Sequence, residues 1–266
     1  MKHRAVIAVL LTLALAVFLP AHARCELKSK MIEYTQNGTT MQGYLTWDDA
    51  ISGKRPGVMV VHEFWGLNAY AKSRADMLAR LGYAAFAADM YGKGQMTTHA
   101  GEARAWMEQV TANIDTWKAR AIAGLEALRS QPQVDSGRIA AIGYCFGGAT
   151  VMHLAYAGAP LKGVASFHGS LPPAPQGIAP GSIKAKVLAA HGAADALVPP
   201  DRVLAFQKGL EDAQAVWEFV TYSGTKHSFT NPDADKAGIP ASAYNERADK
   251  HSWELLKNLL KEIFAQ

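Results

Sequence analysis

Apolar and polar residues alternate in two stretches near the start of the chain, residues 31–34 and 41–47. A period of two is typical of strands that bury one face, and the Asn37-Gly38 pair between the stretches favours a tight reversal of the chain. The pattern therefore predicts an antiparallel hairpin at the edge of a sheet.

Six later apolar runs are short and continuous, as expected for strands that are covered on both faces. They are residues 57–61, 83–88, 139–143, 163–167, 185–190 and 216–222. Helical patterns lie between and after them, at residues 69–81, 101–128 (in two pieces), 149–157, 204–210 and 241–264. This alternation predicts an α/β fold with an open, mostly parallel sheet and helices on both faces.

The first 23 residues have the composition of a secretory signal peptide. A basic start precedes an apolar run over residues 5–19, and Ala21-His22-Ala23 fits a small-x-small cleavage site. The run is too short to span a membrane, so we expect cleavage after Ala23, export to the periplasm or medium, and one domain at residues 24–266 that is not attached to a membrane. Cleavage removes two of the 27 basic residues and lowers the formal charge from +4 to +2, which gives no reason to expect a nucleic-acid partner.

Candidate chemistry centres on Gly143-Tyr144-Cys145-Phe146-Gly147, between a predicted strand and a predicted helix. This is the pattern of a nucleophile elbow, with cysteine where hydrolases usually carry serine. The glycines suit a turn that brings backbone segments too close for side chains, and the following helix N-terminus would favour a thiolate. The alternative is an inert, buried cysteine in an ordinary strand–turn–helix unit.

Three further candidates, Glu63, Asp195 and His227, fall at or just after the carboxyl ends of predicted strands, where ligands bind in such sheets. The chain order nucleophile, acid, histidine is that of α/β-hydrolases. His227 would exchange a proton with the thiol, and Asp195 would orient the imidazole and stabilise its cationic form. No spacing of histidines and carboxylates resembles a metal site.

Each of these residues also has a simpler interpretation. His227 could be a solvated histidine of a polar loop, and Asp195 a turn or helix-capping residue. A carboxylate directly after a buried strand is costly unless it is paired or functional, so Glu63 either forms a salt bridge with a neighbouring helix or belongs to the site. We expect the adjacent His62 to be structural, because consecutive strand residues face opposite ways.

The elbow, the segment of residues 62–68, Asp195 and the loop of residues 224–229 together resemble the dienelactone hydrolase family, from about Met31 to the C-terminus. The resemblance implies an α/β-hydrolase fold with eight strands, a monomer, and no metal or organic cofactor. It implies a Cys145–His227–Asp195 triad, with Glu63 contacting the thiol and taking its proton when substrate binds. It also implies an oxyanion hole made by the backbone N–H groups of two residues, Phe64 and Phe146.

One position departs from the pattern of that family. Members that act on dienelactone hold the substrate carboxylate with arginines, and Asn231 stands where one of these is expected. Asparagine has no charge and no bidentate fork, so uncharged esters are expected to be better substrates than dienelactone. Arg104 is another candidate cation, which the sequence does not place in the site.

The sequence thus predicts a hydrolase that cleaves a small-molecule ester or lactone through a thiol-acyl intermediate. Two alternatives stay open: a thioesterase or peptidase with the same triad, and a thiol-based redox or binding protein on a hydrolase scaffold. In the last case an exposed, acidic Cys145 could pair with Cys25, which we otherwise expect to be incidental.

Overall fold

The structure is a computed structural model of the chain, and it describes residues 26–265. The predicted signal peptide and Cys25 lie outside the described residues. The strands are β1 (Leu27–Gln36), β2 (Thr39–Asp48), β3 (Arg55–Val61), β4 (Ala84–Ala88), β5 (Val134–Tyr144), β6 (Gly163–Phe167), β7 (Lys186–Gly192) and β8 (Trp217–Tyr222). The helices are α1 (Ala69–Arg80), α2 (Ala100–Thr111), α3 (Ile114–Arg129), α4 (Phe146–Tyr156), α5 (Pro200–Asp212) and α6 (Glu246–Phe264), and Ala234–Ala237 forms a 3₁₀ turn.

The strands form one sheet of eight in the order β1-β2-β4-β3-β5-β6-β7-β8. β1 pairs with β2, and β2 with β4, in antiparallel fashion, and the remaining pairs are parallel. The predicted hairpin is present at one edge, where Asn37 and Gly38 make the turn with positive φ angles of 45° and 76°. The prediction of a mostly parallel α/β-hydrolase fold is therefore confirmed.

Two apolar layers cover the faces of the sheet. Alternate residues of β3 show the arrangement: Met59 and Val61 belong to the layer under α2–α5, and Val58 and Val60 to the layer under α1 and α6. Burial on both faces explains why the central strands read as continuous apolar runs. Among residues 26–265, no helix is both long enough and apolar enough to cross a bilayer.

Three helices begin elsewhere than the sequence pattern predicts. α5 begins at Pro200, four residues earlier than expected, and proline suits the first turn of a helix. α4 begins at Phe146, three residues earlier than expected, with Cys145 as its N-cap residue. α6 begins at Glu246 and not at residue 241, because the Asn245 side chain accepts a 3.0 Å hydrogen bond from the N–H of Ala248.

Candidate active site

Cys145 lies at the turn between β5 and α4 with a backbone φ of 55°, in the left-handed region that non-glycine residues rarely adopt. Its N–H donates a 3.0 Å bond to the carbonyl of Phe167, at the end of β6. A Cβ at Gly143 would lie 2.0 Å from the carbonyl oxygen of Gly147, and a Cβ at Gly147 would lie 2.2 Å from that of Val61. These close approaches hold the half-buried thiol at the carboxyl edge of the sheet.

Asp195 and His227 meet at the same edge. Asp195 lies in the turn after β7, where its Oδ1 accepts a 2.9 Å bond from the N–H of Leu197. Its Oδ2 lies 2.7 Å from Nδ1 of His227, in the loop after β8, and both side chains are buried. Because a carboxylate can only accept, Nδ1 carries a proton and Nε2 is the atom free to exchange one. Within the described residues, Nε2 of His227 has no hydrogen-bond partner of normal geometry.

Cys145 is the main electrostatic neighbour of His227. Burial disfavours the imidazolium, but a thiolate at Cys145 and the hydrogen bond with Asp195 outweigh burial and raise the pKa of His227 to about 10. A protonated His227 beside Cys145 is the partner that a thiolate needs, and the thiolate is the nucleophilic form of a cysteine.

Glu63 is buried two residues after the end of β3, and its carboxylate is bonded to the loop that contains His227. Ser228 Oγ donates a 2.7 Å bond to Oε1, and Asn231 Nδ2 donates a 2.6 Å bond to Oε2. Burial raises the pKa of Glu63, and these two bonds, with His227 and Arg74 nearby, offset only part of that effect. Among residues 26–265, Glu63 has neither a hydrogen bond to the thiol, which the resemblance implies, nor a salt bridge, and Asn231 is one of its partners.

Two backbone N–H groups beside the elbow have no acceptor within the described part of the chain. They belong to Phe64, in the loop after β3, and Phe146, the first residue of α4. The N–H of Gly147 donates a 3.1 Å bond to the carbonyl of His62, which ties the elbow to the segment that carries Phe64. Two free donors held at one edge of the sheet suit an oxyanion hole, the role that the family resemblance implies for them.

A buried polar network under the His227 loop was not predicted from the sequence. Arg74 of α1 forms a 2.7 Å ion pair with Asp249 of α6 and also donates to the backbone carbonyl of Thr230. The Thr230 hydroxyl in turn lies 2.7 Å from Nε2 of His168 and 2.5 Å from the hydroxyl of Tyr70. The network therefore ties the loop that contains His227 to two helices and to the end of β6.

One signal in the sequence points to this network. Arg74 occupies the buried face of α1, which is otherwise filled by Ala71, Ala75 and Leu78 at helical spacing. A basic residue on an apolar helix face must find a partner, because an unpaired buried charge is very costly. The identity of the partner, Asp249, could not be read from the sequence.

A cavity of about 710 Å³ opens over Cys145 and His227. Its walls combine apolar and aromatic side chains with a few polar ones, including Phe64, Trp65, Tyr70, Met107, Leu197, Val198, Ser170 and Asn231. Arg104 of α2, which the sequence could not place, lines this cavity together with Arg202 of α5, and neither forms an ion pair with any residue between 26 and 265. In the same part of the chain, no group of three or more His, Cys, Asp or Glu residues is arranged to hold a metal ion.

Comparison with known proteins gives consistent matches. Residues 41–264 match the model of the dienelactone hydrolase family. A crystal structure of a dienelactone hydrolase-like promiscuous phosphotriesterase from metagenomic libraries is 41% identical, with a TM-score of 0.86 over 89% of this chain and 98% of that one. A candidate carboxymethylenebutenolidase of Aquifex aeolicus is 28% identical over 238 residues, which is 87% of this chain and 97% of the relative. An α/β-hydrolase from a deep-sea metagenome shares the fold at 17% identity, with a TM-score of 0.66 over 90% of this chain and 99% of that one.

Proposed function

We propose that this chain, a carboxylic ester hydrolase that belongs to the dienelactone hydrolase family, cleaves a small ester or lactone with Cys145 as its nucleophile. The observation that carries the proposal is the Cys145–His227–Asp195 arrangement under one cavity. The thiol sits on a left-handed turn, and the imidazole beside it is oriented by a buried carboxylate. This geometry places a nucleophile and a proton carrier in the wall of the same cavity.

In the proposed acylation step, the Cys145 thiolate attacks the carbonyl carbon of the substrate and forms a C–S bond. The carbonyl oxygen becomes an oxyanion that accepts hydrogen bonds from the N–H groups of Phe64 and Phe146. His227 then donates the proton on Nε2 to the leaving oxygen as the C–O bond breaks. The products are a thioester on Cys145 and an alcohol, which in a lactone stays attached to the acyl group.

In the proposed deacylation step, the now neutral His227 takes a proton from water through Nε2. The resulting hydroxide attacks the thioester carbon, and a second oxyanion forms at the same donors. Collapse of this intermediate breaks the C–S bond, releases the carboxylic acid and restores the thiolate beside the imidazolium. Asp195 keeps its bond to Nδ1 of His227 and holds the ring in place during both steps.

We assign Glu63 a supporting role in this resting state. Both of its carboxylate oxygens accept short bonds from the loop that carries His227, so the residue connects the end of β3 to that loop. These bonds orient the carboxylate toward Ser228 and Asn231, and we propose that His227 is the residue that takes the thiol proton.

The cavity supports uncharged esters and lactones as the substrate class. The position where an arginine is expected in enzymes that act on dienelactone carries Asn231, whose amide is already bonded to Glu63. The unpaired cations, Arg104 and Arg202, are exposed at the walls of the cavity, where solvent weakens their attraction for a carboxylate. A second candidate activity is the hydrolysis of neutral phosphotriesters, because the relative at 41% identity is named as a promiscuous phosphotriesterase.

A hydrolysis panel tests the proposal. The mature protein and Cys145→Ala are assayed on p-nitrophenyl acetate, uncharged lactones, dienelactone and a neutral p-nitrophenyl phosphotriester. We expect the parent to prefer uncharged esters to dienelactone and Cys145→Ala to be inactive. Full esterase activity in Cys145→Ala would contradict the nucleophile, and a preference for dienelactone would contradict the substrate class. If neither protein hydrolyses any compound, the thiol-based redox or binding function becomes the better hypothesis.

We also propose that the protein is exported and cleaved after Ala23. The proposal rests on the composition of residues 1–23. Mass spectrometry of the protein recovered from the periplasm or medium should give a chain that begins at Arg24. Retention of the first 23 residues in an intracellular protein would contradict export. The same spectrum reports any disulfide between Cys25 and Cys145, which the redox hypothesis requires and the hydrolase proposal does not.

A further inference from the structure

His62 contacts both of the segments that carry the predicted oxyanion donors. It follows β3 directly, its side chain is fully buried, and its carbonyl accepts the N–H of Gly147 from the elbow. Its ring lies between two aromatic side chains, with centroid distances of 5.0 Å to Tyr91 and 5.9 Å to Phe146. The residue therefore touches both the elbow and the segment that follows β3.

The contacts of the His62 ring determine which nitrogen carries the proton. The backbone N–H of Met90 points at Nε2 over 3.2 Å, and an amide nitrogen can only donate, so Nε2 is the acceptor. Nδ1 therefore carries the hydrogen, and it donates to the carbonyl oxygen of Glu63 over 2.5 Å. Burial lowers the pKa of His62, in agreement with a ring that stays neutral in this tautomer.

The acceptor of this bond belongs to the peptide group that carries the N–H of Phe64. The C=O of Glu63 and the N–H of Phe64 lie in one rigid plane, so a bond that fixes the carbonyl also fixes the direction of the N–H. A hydrogen bond to the carbonyl polarises the amide and makes its N–H a stronger donor. The same carbonyl also accepts a longer backbone bond, of 3.4 Å, from the N–H of Gly66.

Tyr91 holds the next peptide group along the chain. Its hydroxyl donates a 3.0 Å bond to the carbonyl of Phe64, and its ring packs against Phe146 with a centroid distance of 5.6 Å. The backbone of Tyr91 is itself fixed, because its N–H donates to Asp89 over 2.9 Å and its carbonyl accepts from Arg120 over 2.9 Å. Both peptide groups that flank the Cα of Phe64 are therefore held by buried side chains.

We infer that His62 and Tyr91 are positioning residues of the oxyanion hole, which orient the Phe64 N–H toward the oxygen of the tetrahedral intermediate. The inference rests on the proposed function and extends it to two residues that do not touch the reacting atoms. It also gives His62, which the sequence suggests is structural, a defined effect on the rate of the chemical steps. An oxyanion donor acts only when charge develops on the substrate oxygen, so its loss lowers kcat more than it changes KM.

The test compares His62→Phe with His62→Gln. Phenylalanine keeps an aromatic ring and removes both ring nitrogens, whereas glutamine can still donate to the Glu63 carbonyl and accept from the Met90 N–H. For p-nitrophenyl acetate we expect kcat to fall about tenfold in His62→Phe, with KM changed by less than about twofold, and to recover most of this loss in His62→Gln.

Alkylation of Cys145 by iodoacetamide separates positioning from a general loss of structure. This displacement needs the thiolate but forms no oxyanion, so its rate should stay within about twofold of the parent in both His62 variants. A parallel loss of hydrolysis and alkylation in His62→Phe would overturn the inference. Unchanged kcat in His62→Phe, or a glutamine variant as slow as the phenylalanine variant, would also overturn it.

Tyr91→Phe keeps the inference testable if His62→Phe does not fold. It removes one hydroxyl, and we expect a lower kcat with normal alkylation, whereas an unchanged kcat would contradict the inference. The matched control is Tyr156→Phe, which loses a similar 2.9 Å bond to the carbonyl of Pro172 outside the cavity and should keep the parent kcat. Different results would contradict the proposed function itself: an inactive parent, or a Cys145→Ala variant as active as the parent.

Discussion

The side of the site that carries Cys145 and the side that carries His227 are held in place by different kinds of interaction. Around Cys145 the positions are fixed by backbone: a left-handed residue, two glycines that allow main chains to touch, and backbone hydrogen bonds to Phe167 and His62. These features are local to the elbow and to the strands beside it. The glycine pattern predicted the sharp turn and its close backbone contacts, but not the bonds to Phe167 and His62.

The loop of His227 is instead fixed by side chains that come from distant parts of the chain. Glu63 accepts from Ser228 and Asn231, and the Thr230 backbone and hydroxyl contact Arg74, His168 and Tyr70. A substitution in the loop removes one of several such bonds, whereas an added side chain at the elbow disrupts the contact between two backbone segments. The comparison suggests that substitutions at the elbow abolish the fold or the activity, while those in the loop have graded effects.

The largest effect is expected for Gly143→Ala. The added Cβ would overlap the backbone of Gly147, where no side chain can move aside, so we expect destabilisation of more than about 3 kcal/mol and loss of activity. Thermal unfolding and esterase assays measure both. Gly101→Ala is the control, since it adds a Cβ in open space on α2. A Gly143→Ala protein as stable and active as the parent would show that close packing does not fix the elbow.

Asn231→Asp should have the next largest effect. It replaces the amide that donates to Glu63 with a second buried carboxylate, and we expect a loss of about 3 kcal/mol near neutral pH. Acidification should reduce the difference from the parent, because protonation of either carboxyl restores a donor. Urea unfolding of both proteins at several pH values measures whether the difference in their free energies of unfolding decreases as the pH falls. The matched control, Asn245→Asp, keeps an N-cap acceptor at α6 and should unfold like the parent; equal losses in both variants would contradict the Glu63 contact.

Thr230→Val is expected to cost about 2 kcal/mol, because Tyr70 and His168 each lose the hydroxyl that they contact. Thr46→Val is the control. Its buried hydroxyl has no hydrogen-bond partner in the part of the chain that the structure describes, so valine there should be neutral or slightly stabilising. Calorimetry of both variants gives the comparison. If the two substitutions have the same effect, the Thr230 network does not stabilise the loop.

The most gradual effect concerns the pH dependence of stability. The pKa of His227 is raised to about 10 in the folded protein, above its ordinary value of about 6.5. The bound proton therefore contributes stability fully below about pH 6.5, and the contribution is lost as pH rises toward about 10. We expect the stability difference between the parent and His227→Gln to shrink over this range in urea titrations. A difference that grows with pH would mean that the imidazole is neutral when folded.

Much of the fold could be predicted because it depends on local patterns. The alternating hairpin, the continuous apolar strands and the helical segments between them are each encoded within short windows of sequence. The elbow could also be predicted from a short window, because Gly143, Cys145 and Gly147 are close in the chain as well as in space. The starts of α4, α5 and α6 differ from the prediction, because the spacing of apolar residues does not mark the first turn of a helix.

The support of the site could not be predicted in the same way. The sequence showed that Asn231 stands where the family pattern has an arginine. Its bond to Glu63 could not be predicted, because the two residues are 168 positions apart. His62 was expected to be structural, and its buried ring bonds to the backbone of Glu63 and Met90, but these partners could not be read from the sequence. Contacts of this kind form because loops that are distant in the sequence pack together at the edge of the sheet. The spacing of residues in the sequence does not predict which loops meet.

The most direct test of the account is to look for the acyl group on Cys145. The mature protein is mixed with p-nitrophenyl acetate, quenched in acid during turnover, digested and mapped by mass spectrometry, with Cys145→Ala treated in the same way. The account predicts one acetyl group on the peptide that contains Cys145, formed at least as fast as turnover and absent from the variant. Turnover without acetylation of Cys145, or an acetyl group on another residue that forms at the rate of turnover, would contradict it.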